Sequence, residues 1–209
     1  MVVAAAVGVG YVVVTRSRDS KRSEANAPLF APRTPSRNHD PRVRVTVLHD
    51  DYEIAGGSAA ALRQQMNQDG PAEQGRHYDA HTDWNVKWAY PFDRSNGRCA
   101  TGPVTVTLTI TYRLPVWDGE SGAPPDLLEK WHTYMQALRT HEDGHAEHGR
   151  DAADEVIAAL SGLPPADACP AMDSAANSTA RAITDRYAAE DVTYDRDTNH
   201  GATQGARFP

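Results

Sequence analysis

The order of elements predicts an α+β protein, an antiparallel sheet packed against one long helix. Two patterns carry that prediction. Val104 to Tyr112 alternates strictly, with Val104, Val106, Leu108 and Ile110 on one face and threonines on the other, as a half-exposed strand does. Pro124 to Leu160 repeats its apolar residues at helical spacing: Leu127, Trp131, Tyr134, Leu138, then Ala152, Val156 and Leu160.

The other elements follow in chain order. Val43 to Val47 alternates as a strand, and Tyr52-Glu53-Ile54 is a second short extended piece. Gly56-Gly57 breaks the chain, Ser58 caps a helix over Ala59 to Asn67, and Asp69-Gly70-Pro71 ends it. His81 to Tyr90 alternates again, with Trp84, Val86, Trp88 and Tyr90 on one face; the tryptophans read as core rather than as a substrate platform. Leu114-Pro115-Val116-Trp117 leaves the sheet. Pro124-Pro125-Asp126 starts the long helix, and Ser161-Gly162 before Leu163-Pro164-Pro165 stops it. A weaker helix is expected over Ser174 to Ala189, and from Tyr194 the chain reads as an irregular tail.

The 209 residues suffice for one domain of ordinary size plus a tail, and a formal charge of −7 gives no sign of nucleic-acid binding. Residues 1–15 include the uncharged, apolar run Met1 to Val14, which is shorter than the ~20 residues of a membrane span. Arg16, Arg18, Lys21 and Arg22 follow that run instead of preceding it. The segment reads as a signal or membrane anchor, and as an anchor it would tether the chain to a membrane. Residues 16–42 are rich in Arg, Ser, Pro and Asn and read as a disordered linker; the folded domain is expected over 43–209.

The chemistry concentrates on the long helix. His141 and His145 lie one turn apart and continue its core-facing stripe. Buried imidazoles need partners, and two of them at this spacing can ligate one metal. Glu142 between them is placed to take a proton from water. His141-Glu142-Asp143-Gly144-His145 is thus an HExxH zinc-hydrolase pattern. The bland alternative is a solvated polar stretch. Gly144 is disfavoured at a helix centre, and a close approach from another element would account for it.

A catalytic zinc takes three protein ligands and leaves one position for water. His148 is two turns from His141, too far along the axis to share one ion. Asp151 falls at the metzincin third-ligand position, but the pattern's Gly is missing one residue before Gly149 and the apolar spacing carries the helix straight on; Glu155 has the same rigid-helix defect. His200, in a loop flanked by Asn199 and Gly201, is the preferred third ligand. Tyr194 is a candidate donor to the developing oxyanion and Asp195 a candidate partner orienting a ligand histidine. Cys99 and Cys169 are far apart and in no CxxC pattern, so they are either one disulfide or two free thiols.

Several of these pieces resemble a known family. They are Tyr52-Glu53-Ile54 with Gly56-Gly57-Ser58, Trp84 to Tyr90, Leu114 to Trp117, the His141 to His145 helix, and Tyr194-Asp195 with Thr198-Asn199-His200-Gly201. Together they resemble the bacterial predicted secreted zinc-dependent proteases, also classed as a domain of unknown function. The resemblance spans Val43 to Pro209. It implies a zincin-like, extracytoplasmic domain, secreted or membrane-anchored. Export in turn implies that Cys99 and Cys169 are joined. The function expected is a zinc-dependent hydrolase, most simply a peptidase acting on a peptide or protein through a zinc-bound water activated by Glu142. The alternative is an extracytoplasmic binding or structural module whose zinc only holds the fold.

Overall fold

A computed structural model describes residues 7–11, 39–73, 75–95 and 97–209. The strands are β1 (Val7–Tyr11), β2 (Val43–His49), β3 (Tyr52–Ala55), β4 (Ala72–Glu73), β5 (Arg76–His77), β6 (His81–Ser95), β7 (Arg98–Thr101), β8 (Thr105–Arg113) and β9 (Pro115–Asp118). The α-helices are α1 (Ala59–Asp69), α2 (Pro125–Ser161) and α3 (Cys169–Thr198). Ser58 accepts from the Ala61 amide at 3.3 Å and caps α1, as its position predicts.

The main sheet runs β1-β6-β8-β2, with β7 paired to β6. The core is built where this sheet meets α2. Strand alternation puts Trp84, Val86, Trp88, Leu108 and Ile110 on the buried face. Leu138, Val156, Ile157 and Leu160 meet them from α2. The fold is α+β, as expected, but the sheet is mixed. Strands β6 and β8 pair antiparallel, whereas β2 lies parallel to β8 and β3 parallel to β9. The reason is that β2 and β8 are separated in sequence by α1, a small hairpin and β6; a crossover of that length permits parallel pairing. Strand β2 is also an edge: Val45 and Val47, on the inward register, are 43% and 45% exposed.

Helix α3 departs most from expectation. It spans 30 residues and continues through Tyr194 and Asp195 to Thr198, so these residues are helical rather than part of an irregular tail. Its inward stripe is made of small residues, Ala176 and Ala180, with Met172 and Ile183. Three aromatic side chains of β6 fix its course. Tyr90 Oη donates to Asp173 at 3.0 Å, Trp88 Nε1 to Asn177 at 3.1 Å, and Trp84 Nε1 to Asp191 at 2.6 Å. As the β6 number falls the α3 number rises, so the helix runs antiparallel along the strand toward its first residues. Its start is pinned by the Cys99–Cys169 disulfide and by paired backbone hydrogen bonds between Cys99 and Ala166, each 2.8 Å. The disulfide points to an oxidising, extracytoplasmic compartment.

Val7–Tyr11 pairs antiparallel with β6. The remainder of the expected signal or anchor segment, and all but the last residues of the expected 16–42 linker, lie outside the described residues. No helix among the described residues is long and apolar enough to cross a membrane.

Candidate metal centre

Midway along α2 the apolar stripe gives way to His141, Glu142 and His145, all buried. Across from them, α3 presents Asp191 and Asp195, four residues apart and so on one face. Three atoms converge. Asp195 Oδ1 is 3.1 Å from His141 Nε2 and 3.0 Å from His145 Nε2, and the two nitrogens are 3.3 Å apart. Zinc bonds of ~2.0–2.1 Å give tetrahedral ligand edges of ~3.3–3.4 Å. The triangle therefore has the size of one face of a zinc tetrahedron, and its two-imidazole, one-carboxylate donor set suits a divalent transition metal. The residues fit the ion that the motif implies.

Both imidazoles of the triangle are oriented from behind. His145 Nδ1 lies 2.8 Å from Asp191 Oδ1, and His141 Nδ1 lies 3.0 Å from Gln204 Oε1. An oxygen beside each Nδ1 holds a proton there, so Nε2, which here donates to Asp195, is the atom that would give up its proton to bond a metal. Asp191 is itself held by Trp84, and its Oδ1 also receives His148 Nδ1 at 2.7 Å. Asp191 with His145 and His148 forms a second group of compatible donor atoms among the described residues, sharing His145 with the first. Behind Glu142, Thr82 Oγ1 at the start of β6 donates to Oε2 at 2.7 Å. Tyr112 Oη donates to Asp143 at 3.0 Å and ties the same helical turn to β8.

The electrostatics are those of a site suited to a cation. Burial drives the Asp195 carboxyl upward, but hydrogen bonds from His141 and His145 overcome it and hold the group below the ordinary carboxylate range. Burial opposes charge on His145, yet Asp191 and Asp195 outweigh it and its pKa is pushed up to about 10. Glu142 is raised, chiefly by desolvation, against the pull of the histidines and the Thr82 hydroxyl.

A cavity of about 220 Å³ opens on the triangle; Glu142, His141, His145, Asp195, His81 and His200 are among its lining residues. His200 stands at its rim, 46% exposed, with Nδ1 3.4 Å from Asp195 Oδ1 and its ring 4.7 Å from that of Tyr78. It follows Asn199 in a left-handed turn, with φ of 49° and 50° at the two residues. Gly201 at φ 79° completes that turn, and a Cβ there would come within 2.9 Å of the His141 ring.

The structure thus brings together His141, Glu142, His145 and Asp195. Asp195, expected as an orienting group, is in the donor triangle, and Asp191 occupies the orienting position. His200, expected as the third ligand, is outside the compact group. Tyr194 is not among the cavity-lining residues; its ring stacks on His141 from the side, 4.9 Å away at 13°. Asp151 and Glu155 stay on α2 away from the triangle, with Glu155 bound to Arg186 and Tyr187. Sequence reasoning missed Thr82, Asp191 and Gln204. The one available signal was the four-residue spacing of Asp191 and Asp195, legible only once α3 is known to extend that far.

Fold and site together define an α+β protein with a two-histidine, one-carboxylate cluster shared between two long helices. Residues 49–201 match the family described as bacterial protein of unknown function (DUF922), and the chain belongs to that family. No curated protein matches the chain, and no solved structure does.

Proposed function

We propose that this protein is a zinc-dependent hydrolase, most simply a peptidase, with the metal held by His141, His145 and Asp195. The carrying observation is the donor triangle, backed on one side by Asp191 and Gln204 and open on the other to a cavity that Glu142 also lines. A structural zinc is closed by four protein ligands and has no use for a nearby buried carboxylate; three donors beside a cavity favour catalysis.

When bound, zinc supplies a Lewis acid that polarises a substrate carbonyl and makes water acidic near neutral pH. The protein's residues do the rest. Glu142, fixed through Oε2 by Thr82, takes a proton from water and passes it to the leaving amine. Its burial raises its proton affinity, which suits a group that must hold a proton transiently. Gln204 and Asp191 keep both Nε2 atoms aimed at the centre. The zincin-like reading of the fold belongs to this proposal, supported by a long motif-bearing helix against a mixed sheet. So does secretion or membrane anchoring, supported by the disulfide.

The test pairs metal content with turnover of unfolded protein and peptide substrates. Wild type is expected to carry about one zinc per chain and His145→Ala little. Glu142→Gln should keep its zinc and lose ~10²–10⁴-fold in rate. Equal zinc in wild type and His145→Ala would overturn the site; full turnover in Glu142→Gln would overturn the mechanism.

A further inference from the structure

Gly144 has an ordinary helical conformation, so nothing in its backbone requires glycine. The requirement comes from α3. A Cβ at 144 would lie 2.4 Å from Tyr194 Oη, 2.6 Å from its Cζ and 2.7 Å from Cε1. That space is filled by a ring which touches three histidines of α2. It stacks on His141, meets His145 edge-on at 5.1 Å and 82°, and meets His148 edge-on at 5.6 Å and 78°. Residues 141, 144, 145 and 148 share one helical face, so a ring laid against that face reaches all of them only by sinking to the backbone between them. The Tyr194 hydroxyl accepts from Gln204 Nε2 at 3.0 Å, and the same amide's Oε1 faces His141 Nδ1.

We propose that Gly144 and Tyr194 are a matched positioning pair: glycine at 144 admits the Tyr194 ring, and the ring sets the planes of the two ligand imidazoles. Tyr194 is then a positioning residue and not the donor to an oxyanion. The metal-binding arm of this inference rests on the proposed site; the steric pairing does not.

Two measurements on the full chain separate the two. The first is the thermal midpoint of metal-free protein for Gly144→Ala, Tyr194→Ala and the double variant. Alanine is intrinsically the better helix former. Gly144→Ala is therefore expected to lower the midpoint beside Tyr194 and to raise it in the Tyr194→Ala background. A shift of the same sign and size in both backgrounds overturns the pairing. Should Gly144→Ala fail to fold, folding of the double variant supports the pairing and failure of both overturns it. The second is zinc titration. Gly144→Ala and Tyr194→Ala are each expected to weaken binding by about tenfold, the double variant no more than Tyr194→Ala alone, and Tyr194→Phe, which keeps the ring, close to wild type. Losses that multiply in the double variant overturn the positioning role. Zinc-free wild type with a sign change in the melts overturns the metal reading and leaves the pairing standing.

Discussion

At the residue scale the proposed site turns on which groups would touch a cation and which would only aim those that do. Asp195 Oδ1 sits at hydrogen-bond distance from His141 Nε2 and His145 Nε2, whereas His200 Nδ1 is 3.4 Å from that oxygen and outside the compact donor group. Asp195→Ala is therefore expected to abolish tight zinc binding, while His200→Ala leaves most of it; comparable losses in zinc titrations of the two would return His200 to the ligand set. Asp191 is one step removed. Asp191→Asn keeps the shape but weakens the acceptor on His145 Nδ1, and a ~10–100-fold loss of zinc affinity is expected, with folding intact by circular dichroism. His141, Glu142 and His145 were legible in the sequence because two imidazoles and a carboxylate interrupt an apolar stripe at fixed spacing. Asp191 and Asp195 were not. A carboxylate facing a buried site and one facing solvent look alike when the helix beneath them carries little apolar periodicity.

At the scale of elements, α3 decides the site and α2 only displays half of it. The Ala-rich inward face of α3 gives a weak helical signal, and its last three turns present carboxylates and Tyr194 inward. A reading by hydrophobic pattern consequently ends the helix near Ala189 and takes the residues beyond for loop. The polar tips of Trp84, Trp88 and Tyr90 replace that missing apolar contact by hydrogen-bonding down the length of the helix. Strand alternation identifies those aromatics as core, but their pairing with α3 depends on tertiary placement. The disulfide holds the far end. It spans a sequence separation of 70 residues, for which chain entropy alone gives about 4 kcal/mol of stabilisation. Denaturant unfolding with and without reductant should show a loss of that order; an unchanged midpoint would mean that α3 docks without the covalent tie.

At the scale of the whole molecule, the C-terminal segment closes the architecture over the site. Phe208 is buried between the rings of Trp131 and Tyr134, with centroids 5.4 and 5.1 Å away. Arg63 of α1 donates to the Phe208 carbonyl at 3.3 Å and to Asp79 at 2.6 Å. Tyr134 donates to the other Asp79 oxygen at 2.7 Å. This lock fastens the segment that carries Gln204 and one wall of the cavity to α1 and α2. Phe208→Ala is expected to cost about 3 kcal/mol in denaturant unfolding and to weaken zinc binding by loosening Gln204; a variant as stable as wild type would show the segment to be dispensable. The central claim, a cation held by residues of two helices, is tested most directly by anomalous diffraction at the zinc edge from crystals of the full chain grown with zinc. One peak is expected, within bonding distance of His141 Nε2, His145 Nε2 and an Asp195 carboxylate oxygen. A peak at His148 and Asp191 instead, or no peak at the triangle, would contradict it.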